Sequence, residues 1–141
     1  MFGLSPLEMF AALVVAHMLC DYPLQGDFLA KAKNHTAPLP GVPWWQALGA
    51  HSVIHGGAVW LITGVWWLGL AEVVAHAVTD FAKCNRHFGF TVDQFLHIVF
   101  KAVWVGFAIP WETGGMIMAV LFGLSVIVAT FLIPPGERPA Q

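Results

Sequence analysis

Four apolar segments of the chain each contain two ionisable residues that are four positions apart. The pairs are His17 and Asp21, His51 and His55, His76 and Asp80, and Asp93 and His97. Residues four apart lie on the same face of an α-helix, separated by about 6 Å along its axis. The fold of such a chain must therefore bring four polar helix faces together inside an apolar structure.

The charge content indicates the solvent that surrounds these helices. Of the 141 residues, 58% are hydrophobic and only 10% are charged, whereas soluble domains carry about 25% charged residues. So few charges cannot cover a soluble globule, and a lipid bilayer is the predicted environment. The net charge of −2 and the absence of a basic block argue against a nucleic-acid partner. The length fits a single membrane domain over residues 1–141, and membrane lipid is its expected partner.

The first helix has a well-defined start and end. Ser5, Pro6 and Glu8 match a capping box with proline in the first turn. Pro23 disfavours helix beyond Asp21. Residues 24–33 are then expected to form a short polar-edged segment at the membrane surface.

Four further helices are predicted downstream, over about residues 44–67, 70–83, 91–109 and 115–133. Gly69 marks the expected turn between the second and third helices. Thr91-Val92-Asp93-Gln94 resembles a capping box that opens the fourth. The third helix would reach only about 21 Å, which is short for a span of about 20 residues. The predicted fold is thus an all-α, polytopic membrane helical bundle of about five short transmembrane helices.

The basic residues predict an orientation for this bundle. If five spans alternate in direction, five of the six basic residues fall on one side, namely Lys31, Lys33, Lys83, Arg86 and Arg138. By the positive-inside rule that side is cytoplasmic, with the N-terminus outside and the C-terminus inside.

The same alternation places the paired residues at two depths. The predicted deeper layer contains four histidines: His17, His55, His76 and His97. The predicted shallower layer, nearer the cytoplasm, contains Asp21, His51, Asp80 and Asp93. Ionisable groups inside a membrane cost about 2.5–3.5 kcal/mol each on insertion scales, so they are expected to converge and compensate one another.

Imidazole and carboxylate groups are typical ligands of zinc, manganese and iron, and helical bundles build such sites from facing pairs. All eight paired residues are candidate ligands for one divalent metal ion or for two. The pattern is also compatible with an acid–base site, or with a cluster that only holds the helices together.

The motifs that contain these residues resemble a known family. The stretches AHMLCDYPLQGDFLAKAK, HSVIHG, HAVTDFAK and DQFLH, within residues 13–99, are similar to the domain of unknown function 3307 family of small bacterial and phage membrane proteins. The resemblance implies a location in the bacterial inner membrane and adds Gln25, Lys33, Lys83 and Gln94 to the site. A weaker similarity, in residue types only, extends to membrane-bound metal-dependent hydrolases.

Three functional hypotheses follow. In the first, histidines bind a divalent metal ion, Asp80 or Asp21 accepts a proton from water, and the chain hydrolyses a lipid or a phosphorylated substrate. Lys83 would pair with Asp80 or hold the phosphate, and either Lys31 or Lys33 would play the matching part after the first helix. The second is a non-enzymatic membrane regulator that binds a partner protein.

The third hypothesis is a proton or ion conduit. It is disfavoured because the outer half of the predicted bundle contains no matching polar residue apart from Glu112. A bundle of this size is also compatible with a homo-oligomer.

Overall fold

The computed structural model describes residues 3–109, which are all-α and contain no β-strand. Their five helices are α1 (Pro6–Asp21), α2 (Gly26–Ala32), α3 (Trp44–Thr63), α4 (Trp66–Cys84) and α5 (Phe90–Ala108). The predicted fifth helix (115–133), together with Glu112 and Arg138, lies outside the described residues. The short segment expected at 24–33 is α2.

The predicted start of the first helix is confirmed. The Ser5 backbone N–H donates to Glu8 Oε2 over 2.8 Å, and the Glu8 N–H donates to Ser5 Oγ over 3.4 Å. Each group thereby satisfies a backbone donor that the helix itself cannot. The chain turns sharply after Asp21, since α2 is bent by 84° from α1.

The prediction of a turn at Gly69 is wrong. The chain reverses at Gly64, whose φ of 73° is the left-handed conformation that favours glycine at the end of a helix. Helix α4 therefore starts at Trp66 and has 19 residues, which gives a length of about 28 Å. It is not the short helix expected from residues 70–83.

Gly69 instead serves the packing of α3 against α4. A Cβ atom on Gly69 would lie 2.7 Å from the Gly56 carbonyl oxygen, and one on Gly56 would lie 2.5 Å from the Gly69 carbonyl oxygen. The two backbones can approach this closely only because neither residue has a side chain.

The four long helices form a ring. Helix α1 contacts α3 and α5, α4 contacts the same two helices, and α2 packs against α3. Successive long helices run in opposite directions, so the C-termini of α1 and α4 meet the N-termini of α3 and α5. We call this the cavity end, and the other the apolar end.

A cluster of buried apolar side chains fills the apolar end. It is drawn from all four long helices and contains Met9, Leu13, Val59, Leu68, Trp104 and Val105. The outer surface of the ring is also apolar. On α4, for example, Leu70, Val74 and Val78 lie four residues apart and are each more than half exposed.

Two parts of the described chain are long and apolar enough to cross a membrane. One is α5, and the other is the bent pair α1 and α2 taken together. Length and composition of this kind are also found in core helices of soluble proteins, so they do not fix a topology.

Candidate metal centre

All eight paired residues converge at the centre of the ring, towards the cavity end. Seven of the eight are buried, and Asp21 is partly buried with its side chain 10% exposed. The five histidines His17, His51, His55, His76 and His97 are each at most 1% exposed. Three groups within this cluster place donor atoms close enough to share a metal ion.

The largest group combines Asp21 with three histidines of α3 and α4. Asp21 Oδ1 lies 3.3 Å from His51 Nε2, 3.1 Å from His55 Nε2 and 3.9 Å from His76 Nε2, and the His51 and His76 Nε2 atoms are 3.1 Å apart. Ligands around a tetrahedral zinc at its usual bond lengths are about 3.3–3.4 Å from one another. The four donor atoms therefore already have nearly the spacing of a metal coordination shell.

His76 is the central residue of the cluster. Its ring stacks on the ring of His55 at 3.7 Å and on that of His97 at 4.1 Å, between the centroids. Its Nδ1 lies 3.3 Å from Glu72 Oε1. A carboxylate beside Nδ1 favours hydrogen on that nitrogen, which leaves the Nε2 lone pair facing Asp21 and His51.

The buried carboxylates differ in the cations that accompany them. Lys33 Nζ lies 2.5 Å from Asp80 Oδ2, and Lys83 Nζ lies 2.6 Å from Asp93 Oδ2. A third lysine, Lys101, pairs with Glu72. Among residues 3–109, Asp21 has ion-pair contacts only with histidines. Asp21 is therefore the carboxylate for which the described chain supplies no lysine.

Gln94 fixes the position of Asp21. Its side-chain nitrogen donates to Asp21 Oδ2 over 2.8 Å, and its oxygen is 3.3 Å from His17 Nε2. Because the amide nitrogen is used on Asp21, the amide oxygen accepts from His17, which must carry its hydrogen on Nε2. Asp21 Oδ1 is then left facing the three histidines, with no hydrogen-bond partner among the described residues.

Sequence reasoning missed Glu72 and Lys101. Each is 1% exposed, and Glu72 also accepts a hydrogen bond from Trp104 Nε1 over 2.5 Å. The signal was in the spacing, because Glu72 precedes His76 by four residues and Lys101 follows His97 by four. The expectation that Glu112 was the sole polar residue beyond the cluster was therefore wrong.

Side chains of the two predicted layers contact each other. His51 and Asp21, expected to be shallow, contact His76 and His55, which were expected to be deep. The second predicted capping box is also wrong, since α5 starts at Phe90 and has no side-chain cap. Asp93 instead binds Lys83 and lies 3.5 Å from His97 Nε2.

The two open questions about lysines have definite answers in the structure. Lys33, the C-cap residue of α2, is buried and pairs with Asp80, whereas Lys31 is exposed. Lys83 pairs with Asp93 rather than with Asp80.

A cavity of about 630 Å³ opens above the cluster, between α2, the end of α4 and the start of α5. Asp21 and Asp80 line it on the cluster side. Lys33, Lys83 and Arg86 supply three cationic side chains to its wall, and Gln25 and Gln94 also line it. Asp27 is a third carboxylate of the lining, so the cavity joins the candidate metal ligands to a wall that carries both basic and acidic side chains.

Arg86 reaches this position through an unusual backbone conformation. Its φ is 60°, and it occupies the position after the α4 C-cap that usually holds glycine. The His87 N–H donates to the Ala82 carbonyl and the Arg86 N–H to the Lys83 carbonyl, the two bonds of a Schellman motif. Arginine thus stands in a backbone conformation that favours glycine, and its side chain lines the cavity.

The two remaining histidines lie apart from the cluster. His35 stacks on Phe81 with 4.0 Å between ring centroids and hydrogen-bonds Asn85. His87 is exposed.

Comparison with known proteins agrees with the motifs. Residues 9–114 match the family described as Protein of unknown function (DUF3307). The chain belongs to this family. No curated protein and no solved structure matches it. The family description assigns no activity, so any functional conclusion must come from the site.

Proposed function

We propose that this DUF3307 protein is a membrane-embedded, metal-dependent hydrolase that acts on an anionic lipid or lipid-linked phosphate ester. The observation that carries the proposal is the environment of Asp21. Its Oδ1 faces the Nε2 atoms of His51, His55 and His76 and has no lysine partner among residues 3–109. A divalent cation at this point would complete the charge pairing that lysines provide for Asp80, Asp93 and Glu72.

The membrane part of the proposal is supported by the distribution of polarity. Charged and imidazole side chains occupy the interior, whereas large apolar side chains such as Leu61, Trp66 and Val74 are more than half exposed on the outside. A soluble monomer rarely exposes extended apolar surface. We infer that the outer face contacts lipid in the bacterial inner membrane, with the cavity end on the cytoplasmic side, as the position of the lysines favours.

The donor set favours zinc, manganese or iron, because it combines three imidazoles with one carboxylate. Such a cation supplies a nucleophile by lowering the pKa of a coordinated water towards neutrality. The chain supplies the ligands of the cation and the group that orients one of them. Asp21, His51, His55 and His76 hold the cation, and Glu72 orients His76.

Asp80 is the proposed proton acceptor. It lines the cavity, and its Oδ2 lies 3.6 Å from His51 Nε2 and 3.7 Å from His76 Nε2. Lys33 can bind an anionic group in the cavity while it stays on Asp80, because its ammonium has three hydrogens, and Oδ2 keeps a second lone pair to accept a proton. Asp80 then takes the proton as water attacks the phosphorus, and returns it to the leaving oxygen when the ester bond breaks.

The basic side chains of the cavity support the proposed substrate class. Lys33, Lys83 and Arg86 line one cavity, and arginine with lysine is the usual combination for phosphate. The cavity lies at the end of the bundle, where the head group of a lipid would enter. Gln25 lines the same wall and offers an amide for a polar head group.

Glu72 and Lys101 favour the conduit hypothesis to the extent that they extend the polar cluster by one helical turn. The apolar cluster closes the described part of the bundle beyond Trp104, which argues against a continuous polar path. We therefore favour an enzyme with access from the cavity end.

The proposal is tested with detergent-purified protein loaded with zinc or manganese, by assaying phosphate release from phosphatidic acid vesicles and from a soluble phosphomonoester. We expect hydrolysis that a chelator abolishes and that His55→Ala reduces at least 100-fold. His87→Ala, which changes an exposed histidine, is the matched control and keeps full activity.

Arg86→Gly tests the substrate class, because glycine is favoured at that backbone position and the fold is retained. It should raise KM for the anionic substrate. Hydrolysis that survives the chelator, or no hydrolysis of either substrate by metal-loaded protein, would contradict the proposal.

A further inference from the structure

A second donor group lies beside the proposed cation site. It consists of Asp80, Asp93 and His97, whose donor atoms all lie within 4.8 Å of one another. His97 Nε2 is 3.5 Å from Asp93 Oδ1 and 3.8 Å from Asp80 Oδ1. All three residues are at most 2% exposed.

Two of these donor atoms make no hydrogen bond within the described part of the chain, although they lie 3.5 Å from each other. Among residues 3–109, neither Asp93 Oδ1 nor His97 Nε2 has a hydrogen-bond partner, although both are buried. A buried polar atom without a partner costs free energy that a ligand would recover. His97 Nε2 also lies 3.8 Å from Asp80 Oδ1, so one buried nitrogen is close to oxygens of both carboxylates.

Two lysines account for the orientation of the Asp80 and Asp93 carboxylates. Lys33 binds Asp80 through Oδ2 and Lys83 binds Asp93 through Oδ2. Each carboxylate is held by one oxygen, so its other oxygen turns towards His97. Lys33 and Lys83 are thus positioning residues for a three-donor site.

We propose that Asp80, Asp93 and His97 bind a second divalent cation, so that the DUF3307 centre holds two. The inference rests on the proposed function and deepens it. Asp80 connects the two sites, because its Oδ2 faces His51 and His76 whereas its Oδ1 faces His97. Three protein donors leave a coordination position open for water or substrate, as in catalytic zinc sites.

The charge of the centre indicates when the second cation binds. Four buried carboxylates are accompanied by three lysines, and a first divalent cation already exceeds the remaining negative charge. A second cation therefore needs an anion in the cavity. A phosphate group beside Lys33, Lys83 and Arg86 supplies it, and pairs of metal ions about 3.5–4 Å apart are common in phosphate-ester hydrolases.

The test is the number of manganese ions bound by the purified protein, measured by titration with and without inorganic phosphate. We expect one equivalent without phosphate and two with it. With phosphate present, His55→Ala should lose the first equivalent, and His97→Ala should lose only the second. Circular dichroism confirms that each variant is folded.

Electron paramagnetic resonance of wild-type protein gives a second readout that needs no variant. Two manganese ions about 4 Å apart produce an exchange-coupled spectrum, whereas one produces six lines. A single equivalent with phosphate present, lost in His55→Ala and kept in His97→Ala with a six-line spectrum, overturns the second site and leaves the proposed function standing. No manganese, zinc or iron bound in folded wild-type protein overturns both.

Discussion

The two ends of the helix ring are built from different interactions. At the apolar end, Leu13, Val59 and Leu68 pack with almost no exposed surface. At the cavity end, the same four helices carry five histidines and the carboxylates of Asp80 and Asp93, which are equally buried. Apolar packing holds one end together without any ligand, whereas the other end gathers donor atoms that are incompletely satisfied. We conclude that the apolar end stabilises the bundle, whereas the cavity end contains the groups that could bind a metal ion.

Glu72 and Lys101 lie at the boundary between the two ends, and their pair gives the largest expected effect on stability. Glu72→Ala leaves the buried Lys101 ammonium without its carboxylate, which should lower the free energy of unfolding by about 3–5 kcal/mol. Chemical unfolding in detergent measures this loss.

The double variant Glu72→Ala/Lys101→Met is the control, because it removes both charges. It should recover most of the lost stability. If the double variant is as unstable as the single variant, the unpaired charge of Lys101 is not the cause of the lost stability.

Leu68→Ala separates stability from metal binding. Leu68 is fully buried in the apolar cluster, so its truncation should cost about 2–4 kcal/mol through the cavity it leaves. The metal content per folded molecule should not change. Loss of metal from folded Leu68→Ala protein would show that the two ends are not independent.

A smaller effect is expected where α3 crosses α4. Gly56→Ala places a Cβ 2.4 Å from Val73 Cγ2 and 2.5 Å from the Gly69 carbonyl oxygen, and overpacking of this kind costs about 1–3 kcal/mol. Gly57→Ala is the matched control, since its Cβ would have no neighbour within 4 Å. Gly57→Ala should be neutral or slightly stabilising. Equal thermal stability of the two variants would exclude a close helix crossing.

The sequence predicted much of the polar centre, because the four-residue spacing of its members is a local property of helices. The same spacing extends to Glu72 and Lys101, so those two residues could have been found by continuing the pattern for one more turn. The start of α1 was also predictable, since the capping box of Ser5 and Glu8 lies within four residues.

Other features depend on contacts between distant parts of the chain. Whether Lys31 or Lys33 reaches Asp80 is decided by how α2 folds back over the bundle. The turn between α3 and α4 was misplaced because Gly64 and Gly69 are both plausible turn residues in sequence. Only the packing shows that one of them supplies the left-handed turn and the other supplies the close approach to Gly56.

The central claim is that the histidine and aspartate cluster binds a divalent metal ion, and elemental analysis of detergent-purified protein tests it most directly. We predict at least one equivalent of zinc, manganese or iron in the wild type and in His87→Ala, and loss of that metal in folded His76→Ala protein. A monodisperse, folded wild type that binds no metal even after metal is added back would contradict the account.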